Sequence, residues 1–274
     1  MRTTVIAVPS SPGLEGRPSA ARLERVSKAF GYAGDRVWAL DDLSLRVGAG
    51  EFVSIVGASG CGKSTLLNLL AGLEKPTAGT VERPAGDAAL MFQEAALFPW
   101  LTVEGNVELA LRLRGVGKAA RRSRVRELLA MVHLSDFAGR RPHELSGGMR
   151  SRVALARALA QQRSLLLMDE PFGALDAITR DLLHDELERL WAGTGLAVVF
   201  VTHNVREAVR LGDRVILLSS RPGRVAAEFA IGLPRPRGAN TKELATLSTT
   251  ITERLREEVR RHGRHGRHGG DVDQ

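Results

Sequence analysis

The sequence predicts an α/β fold built around a mostly parallel, doubly wound sheet, and three stretches carry that expectation. The run Phe52-Val53-Ser54-Ile55-Val56 leads into a glycine loop and then into the apolar stretch Leu66-Leu67-Asn68-Leu69-Leu70. The run Leu165-Leu166-Leu167-Met168 ends in two carboxylates, Asp169 and Glu170. The run Ala197-Val198-Val199-Phe200-Val201 ends in Thr202 and His203. Short continuous apolar runs separated by helical patterns are what strands buried on both faces require. In such a sheet the C-terminal strand ends line one crevice.

The remaining elements follow in order. Residues 1–20 are rich in Pro, Ser and Gly and read as a loose arm. Residues 23–26 read as a strand that ends in Lys28-Ala29-Phe30-Gly31-Tyr32, and residues 40–47 alternate as a half-exposed strand does. The helix after the glycine loop runs to about Ala71, with Gly72 as its stop and Pro76 beyond. Residues 88–92 form a second apolar stretch ending at Gln93. Residues 94–160 then change character: little β pattern, and helical runs over 103–114, 119–133 and 148–160. They read as a helical subdomain inserted into the α/β core. Arg121, Arg122, Arg124 and Arg126 make the middle helix basic, as a solvated face would be. A helix over 179–191 aligns Leu183, Leu187, Leu190 and Trp191. Residues 214–218 and 224–229 read as strands joined through Pro222-Gly223, and 241–260 as an amphipathic helix with Leu244, Leu247, Ile251, Leu255 and Val259 in line. The low-complexity stretch 262–268 holds three evenly spaced histidines and reads as a disordered basic tail.

Composition sets bounds on function. The 274 residues, 43% of them hydrophobic, suffice for one large domain with a real core. The net charge of +8 admits nucleic acid, anionic lipid or an acidic partner, although a solvated basic surface explains it as well. Only five residues are lysines, so Lys63 is not one interchangeable charge among many. The one cysteine, Cys61, cannot form an internal disulfide, which fits a reducing compartment. No apolar run approaches the roughly 20 residues of a membrane helix. Val5-Ile6-Ala7-Val8 is too short for a secretory core, so a cytoplasmic location is expected.

The glycine loop, Gly57-Ala58-Ser59-Gly60-Cys61-Gly62-Lys63-Ser64-Thr65, has the spacing of a phosphate loop. Its glycines let backbone N–H groups converge on phosphate oxygens, and the helix that follows adds its positive end. Lys63 supplies a full charge to the β- and γ-phosphates, and the Ser64 hydroxyl can ligate Mg²⁺. A helix start can also sharpen a thiol, but Cys61 reads as a small residue in a variable slot. Asp169 is placed to hold Mg²⁺ through water, and Glu170 to take a proton from an attacking water. In Leu145-Ser146-Gly147-Gly148-Met149 a serine and two glycines stand before a helix, a second anion-binding N-terminus.

With these residues assembled, the chain resembles the nucleotide-binding subunit of an ATP-binding cassette (ABC) transporter, over about residues 21–230. The resemblance implies a P-loop NTPase core, RecA-like, with an antiparallel β subdomain and the helical insertion. The expected limits are 1–20 for the arm, 21–240 for the ATPase domain, with 94–160 helical, 241–261 for the C-terminal helix and 262–274 for the tail. Phe30 stands at the family's adenine-stacking position and Gln93 at its Q-loop, where Mg²⁺ and water are sensed. Ser146, Gly147 and Gly148 belong to the signature, with Met149 where Gln is more usual. Asp176 lies in the D-loop, and His203 is the switch histidine that contacts the γ-phosphate. ATP and Mg²⁺ are therefore the expected ligands. Two copies are expected to pair head to tail, each ATP lying between one phosphate loop and the other copy's Ser146-Gly147-Gly148.

The stretches 92–100, 172–180 and 202–209 are similar to the ATPases of nitrate, sulfonate and taurine importers. The implied role is energising uptake of a small anionic solute through a separate membrane permease. That permease would be served by an extracytoplasmic solute-binding protein, with this chain on the cytoplasmic face of the inner membrane. Other ABC importers or exporters, and ABC proteins acting on nucleic acid or ribosomes, are the alternatives. The interval between Gln93 and Leu145 is too short for the long coiled coil of the DNA-repair members, and no nucleic-acid partner is expected.

Overall fold

The computed structural model describes residues 18–31, 35–83, 88–238 and 241–265. Most of the expected arm, Tyr32 and the end of the expected tail lie outside the described residues.

The core is a six-stranded sheet in the order β5-β6-β7-β3-β8-β9. Its strands are β3 (Phe52–Val56), β5 (Ala88–Met91), β6 (Leu165–Asp169), β7 (Ala197–Val201), β8 (Arg214–Leu218) and β9 (Val225–Ala230). All neighbours are parallel except the β8–β9 pair. Every residue of β3, β6 and β7 is buried, as their almost wholly apolar runs demand. Alternate side chains go to opposite faces. Phe52, Leu166, Met168, Val198 and Phe200 pack into one hydrophobic cluster, and Val53, Ile55, Leu165, Leu167, Val199 and Val201 into another.

The first cluster lies under the helical insertion, α2 (Val103–Leu113), α3 (Lys118–Met131) and α4 (Gly147–Ala160), and under α5 (Ala177–Thr194). The second is closed by α1 (Lys63–Ala71) and by a three-stranded antiparallel sheet in the order β2-β1-β4. That sheet holds β1 (Ser19–Phe30), β2 (Val37–Gly48) and β4 (Ala78–Glu82). A third cluster joins β8 and β9 to α6 (Val205–Leu211) and α7 (Lys242–His265) through Val209, Val215, Phe229, Leu244 and Ile251. Among the described residues no helix is long and apolar enough to cross a membrane.

Several expectations need correction. β1 and β2 are each 12 residues long, far beyond 23–26 and 40–47, and β1 takes in Ser19 and Ala20 from the expected arm. Bulges hid them: Arg25 and Asp42 have positive φ, and each break in register interrupts the alternation. β4 and α6 were not expected at all. The helix expected to follow Gly148 begins at Gly147, because Ser146 is its N-cap and accepts from Met149 N at 3.2 Å. α7 continues through His265, so the expected tail begins as helix. On α3, Arg121 pairs with Glu108 at 3.0 Å and Arg124 with Glu127 at 2.9 Å, which accounts for half of the basic stripe.

A second set of polar ties holds the far end of the sheet. Arg235 bonds Glu188 at 3.0 Å and Asp213 at 2.9 Å, and its guanidinium lies 4.3 Å from the Trp191 ring centre. Buried Arg237 donates to the carbonyls of Leu233, Val209, Arg210 and Ile231, and burial lowers its pKa to about 10. The carbonyl ends of α6 are thereby satisfied.

Candidate active site

Strand order does the assembling. Because β5, β6, β7 and β3 are consecutive neighbours, Gln93, Asp169–Glu170, His203 and the glycine loop leave the sheet side by side at its C-terminal edge. A cleft of about 510 Å³ opens there. Gly57, Ser59, Gly60, Gly62, Lys63, Ser64 and Thr65 line it from β3 and α1, and Gln93, Asp169, Glu170 and His203 line it from the other three strand ends.

The loop's shape requires its glycines. Gly62 has φ +96°, and a Cβ there would sit 2.6 Å from the Ala39 carbonyl oxygen of β2. Buried Cys61 packs behind the loop, where burial pushes its thiol pKa up despite the Lys63 charge. It fills space, as a small residue does, and is not an activated thiol. Lys63 is also buried and donates to the Gly57 carbonyl at 3.0 Å and the Ala58 carbonyl at 2.9 Å.

On the facing side, burial pushes the Asp169 carboxyl up, while a hydrogen bond from Ser64 and the Lys63 charge pull it down. Ser64 and Asp169 thus form an oxygen-only pair at the floor of the cleft. Such donors fit a hard divalent cation that keeps waters and takes further ligands from phosphate. Glu170 sits at φ +46°, rare for a residue with a side chain. The conformation is held from two sides: Glu170 N donates to the Val201 carbonyl at 2.9 Å, and His203 Nδ1 lies 3.0 Å from Glu170 Oε2. With the carboxylate accepting, Nδ1 carries the hydrogen. The site therefore brings together a carboxylate, an oriented imidazole, an oxygen pair of the kind that fits a divalent cation and a glycine loop shaped for phosphate, which are the parts that phosphoryl transfer to water needs.

Other expected residues lie outside this cleft. Ala58 contributes its carbonyl to Lys63 and is not part of the lining. Phe30 ends β1 opposite Val37, with the Lys28 ammonium 4.8 Å from its ring centre, and is also not part of the lining. Val37 lies two residues before Ala39 on β2, across a break in register, and Ala39 does line the cleft. Ser146, Gly147 and Gly148 open α4 away from the cleft. Asp176 caps α5, accepting from Thr179 N at 2.9 Å, and that bond holds its carboxyl below the usual range.

Sequence reasoning missed Ala39 and Arg221, both in the lining. Arg221 belongs to a turn tied to β2: Gly223 N donates to the Ala39 carbonyl at 2.9 Å, and Asp41 N to the Gly223 carbonyl at 3.0 Å. The Arg221 side chain is exposed and makes no ion pair or hydrogen bond with any described residue. Pro222-Gly223 signals the turn, but nothing local in the sequence says that it packs on residues more than a hundred positions earlier.

Residues 40–173 match the family model described as ABC transporter. The taurine import ATP-binding protein of Burkholderia pseudomallei is 48% identical over 219 residues, covering 77% of this chain and 84% of that protein. The aliphatic sulfonates import ATP-binding protein of Mesorhizobium japonicum is 45% identical over 255 residues, covering 90% and 93%. An uncharacterised ABC transporter ATP-binding protein of Methanocaldococcus jannaschii is 43% identical over 245 residues, covering 87% and 92%. A solved dimeric ATP-binding cassette in a post-hydrolysis state, bound to ADP and phosphate, superposes with a TM-score of 0.71 at 36% identity, covering 80% of this chain and 99% of that one.

Proposed function

Because this chain belongs to the ABC transporter family, as one of its ATP-hydrolysing subunits, we propose that it powers an importer for a small anionic solute of the nitrate, sulfonate or taurine type. The observation that carries the hydrolytic part is the row of four strand ends, which brings Glu170 and His203 to 3.0 Å beside the phosphate loop. Lys63 exchanges its loop carbonyls for β- and γ-phosphate oxygens. Ser64, Asp169 and Gln93 would hold Mg²⁺, which would supply neutralisation of phosphate charge. Glu170 takes the proton of the attacking water, and His203 orients that carboxylate and meets the γ-phosphate. Phe30, with Val37 beside it across the strand pair, would meet the adenine.

The signature residues Ser146, Gly147 and Gly148 open a helix away from their own cleft. This supports a working unit of two copies, in which each copy supplies these residues, with Asp176, to the other's ATP. A solved relative is described as a dimeric cassette bound to ADP and phosphate, which supports a pair of copies.

The solute class rests on the taurine and sulfonate import proteins. The chain would sit on the cytoplasmic face of the inner membrane, held by permease subunits that receive solute from an extracytoplasmic binding protein. Trp100 supports a docking surface: it is 68% exposed, with its ring 5.4 Å from that of Phe98, a few residues after Gln93. Large apolar side chains left in water near a mechanistic loop mark a contact site. The test is phosphate release by the full chain with ATP and Mg²⁺, then uptake of labelled taurine, alkanesulfonate and nitrate by vesicles carrying the complete transporter. Absence of ATP turnover overturns the first part, and uptake of none of the three solutes the second.

A further inference from the structure

Behind the cleft, a cluster of buried polar side chains bridges α5 and α6. Glu207 of α6 is at its centre. Thr202 Oγ1 donates to Glu207 Oε2 at 2.7 Å and itself accepts from Asn204 N at 3.0 Å. The residues on both sides of His203 are thereby fixed. Glu207 Oε1 also lies 3.5 Å from Arg180 Nε of α5. Arg180 in turn donates from Nη2 to the Leu175 carbonyl at 2.7 Å, the residue before Asp176. His184, one turn further along α5, puts Nε2 3.9 Å from Glu207 Oε1. Its ring meets Phe172 edge-on at 4.9 Å, and Phe172 follows Glu170 by two residues. Arg210 closes the cluster from outside, bonding Asp181 at 2.6 Å and Asp185 at 2.7 Å.

Buried charges are a poor way simply to join two helices, since a packed apolar pair does so at least as well. Burial pushes the Glu207 carboxyl up against the pull of Thr202 and Arg180, and drives the His184 pKa down to about 3. What the apolar alternative lacks is a grip on peptide groups. This cluster grips those around His203, the carbonyl before Asp176 and, through a ring contact, the chain just after Glu170. It also has bonding capacity to spare. Arg180 Nε and His184 Nε2 are buried without a hydrogen bond, and both lie within 4 Å of the Glu207 carboxylate. A shift of about an ångström would give it either as a partner.

We propose that Glu207 and Arg180 are positioning residues that join the His203 loop, the Asp176 loop and the Glu170 strand end into one unit, so that His203 keeps its place beside Glu170 only while the Asp176 loop is seated. This rests on reading the cleft as an ATPase site. Neither residue lines the cleft, so ATP affinity does not depend on them directly, whereas the geometry of the chemical step does.

The experiment is steady-state ATP hydrolysis with Mg²⁺ by the full chain, together with equilibrium ATP binding and thermal melting. Wild type is compared with Glu207→Gln, Arg180→Gln, the double variant and Thr202→Val. Each single variant is expected to lose about tenfold or more in kcat, the scale on which a small misplacement acts, with KM and ATP affinity within about twofold. The double variant should fall no further than the worse single one, since both cut one connection. Wild-type kcat in Glu207→Gln, or losses that multiply in the double variant, overturns the proposal. Should Glu207→Gln fail to fold, Thr202→Val decides alone: it removes only the hydroxyl beside His203, and wild-type kcat there overturns the proposal equally. A wild-type chain that binds no ATP would instead overturn the ATPase reading itself.

Discussion

His203 Nδ1 and Glu170 Oε2 lie 3.0 Å apart although the two residues come from different strand ends, β7 and β6. The contact makes the carboxylate and the imidazole a pair, and the pair faces the phosphate loop across the cleft. Glutamine at position 170 keeps a hydrogen-bonding oxygen for His203 but loses the basic site. Glu170→Gln should bind ATP within a few-fold of wild type and lose at least about a hundredfold in turnover, the scale of general-base catalysis. It should also accumulate as an ATP-bound pair of copies. Phosphate release and size exclusion with ATP and Mg²⁺ measure the two effects, and near wild-type turnover removes Glu170 from the base role.

Arg221 gives an independent handle on the nucleotide. Its guanidinium is unpaired among the described residues and lines the cleft from a turn tied to β2. Arg221→Ala should weaken both ATP and ADP about tenfold or more, the worth of one charge-assisted bond to phosphate, with kcat little changed. A loss confined to ATP would place the contact on the γ-phosphate. Unchanged affinity for both nucleotides would show that the side chain points into solvent.

Trp100 separates docking from chemistry. At 68% exposure it is not a core residue, and its removal should cost little stability. Trp100→Ala should reduce co-purification with permease subunits while ATP hydrolysis by the free subunit and its melting temperature stay near wild type. A parallel fall in all three would show that the ring supports the fold instead.

His184 links stability to pH. Its folded pKa of about 3 lies below the unfolded value, because burial and the neighbouring Arg210 and Arg180 outweigh Asp181. The unfolded chain therefore takes up a proton first, and stability falls as pH drops from about 6.5 towards 3. Between pH 7 and pH 5 this one group should remove about 2 kcal/mol. Denaturant unfolding at the two pH values should show that much more loss for wild type than for His184→Gln. Equal losses would mean that the imidazole is reached by solvent in the fold.

The parallel core was legible because burial on both faces leaves a strand almost wholly apolar, so β3, β6 and β7 stood out despite Ser54 at the centre of β3, and the chemistry at their ends was visible as breaks in the apolar runs. β4 was not, since Ala78–Glu82 offers only Val81 as a sizeable apolar residue and is held by pairing with β1. α6 was too short to show a period. Its signal was Asn204, whose side chain accepts from Arg206 N at 3.0 Å and Glu207 N at 3.4 Å. Arg221 joins the cleft, and Glu207 and His184 the cluster behind it, only through tertiary contacts, which spacing along the chain does not encode.

The position of β3 between β7 and β8 has a consequence for synthesis. Among the described residues, the strand that carries the phosphate loop pairs with residues 198–201 and 214–217. While the ribosome is still making the chain up to that point, β3 has both edges open and both faces apolar. Such a segment is a template for wrong pairing, and contacts this distant in sequence form slowly. Chains released early, before β7 emerges, should therefore be aggregation-prone fragments with no usable phosphate loop. The cell acquires the nucleotide site late and all at once, when the last parallel strands close around a motif translated long before.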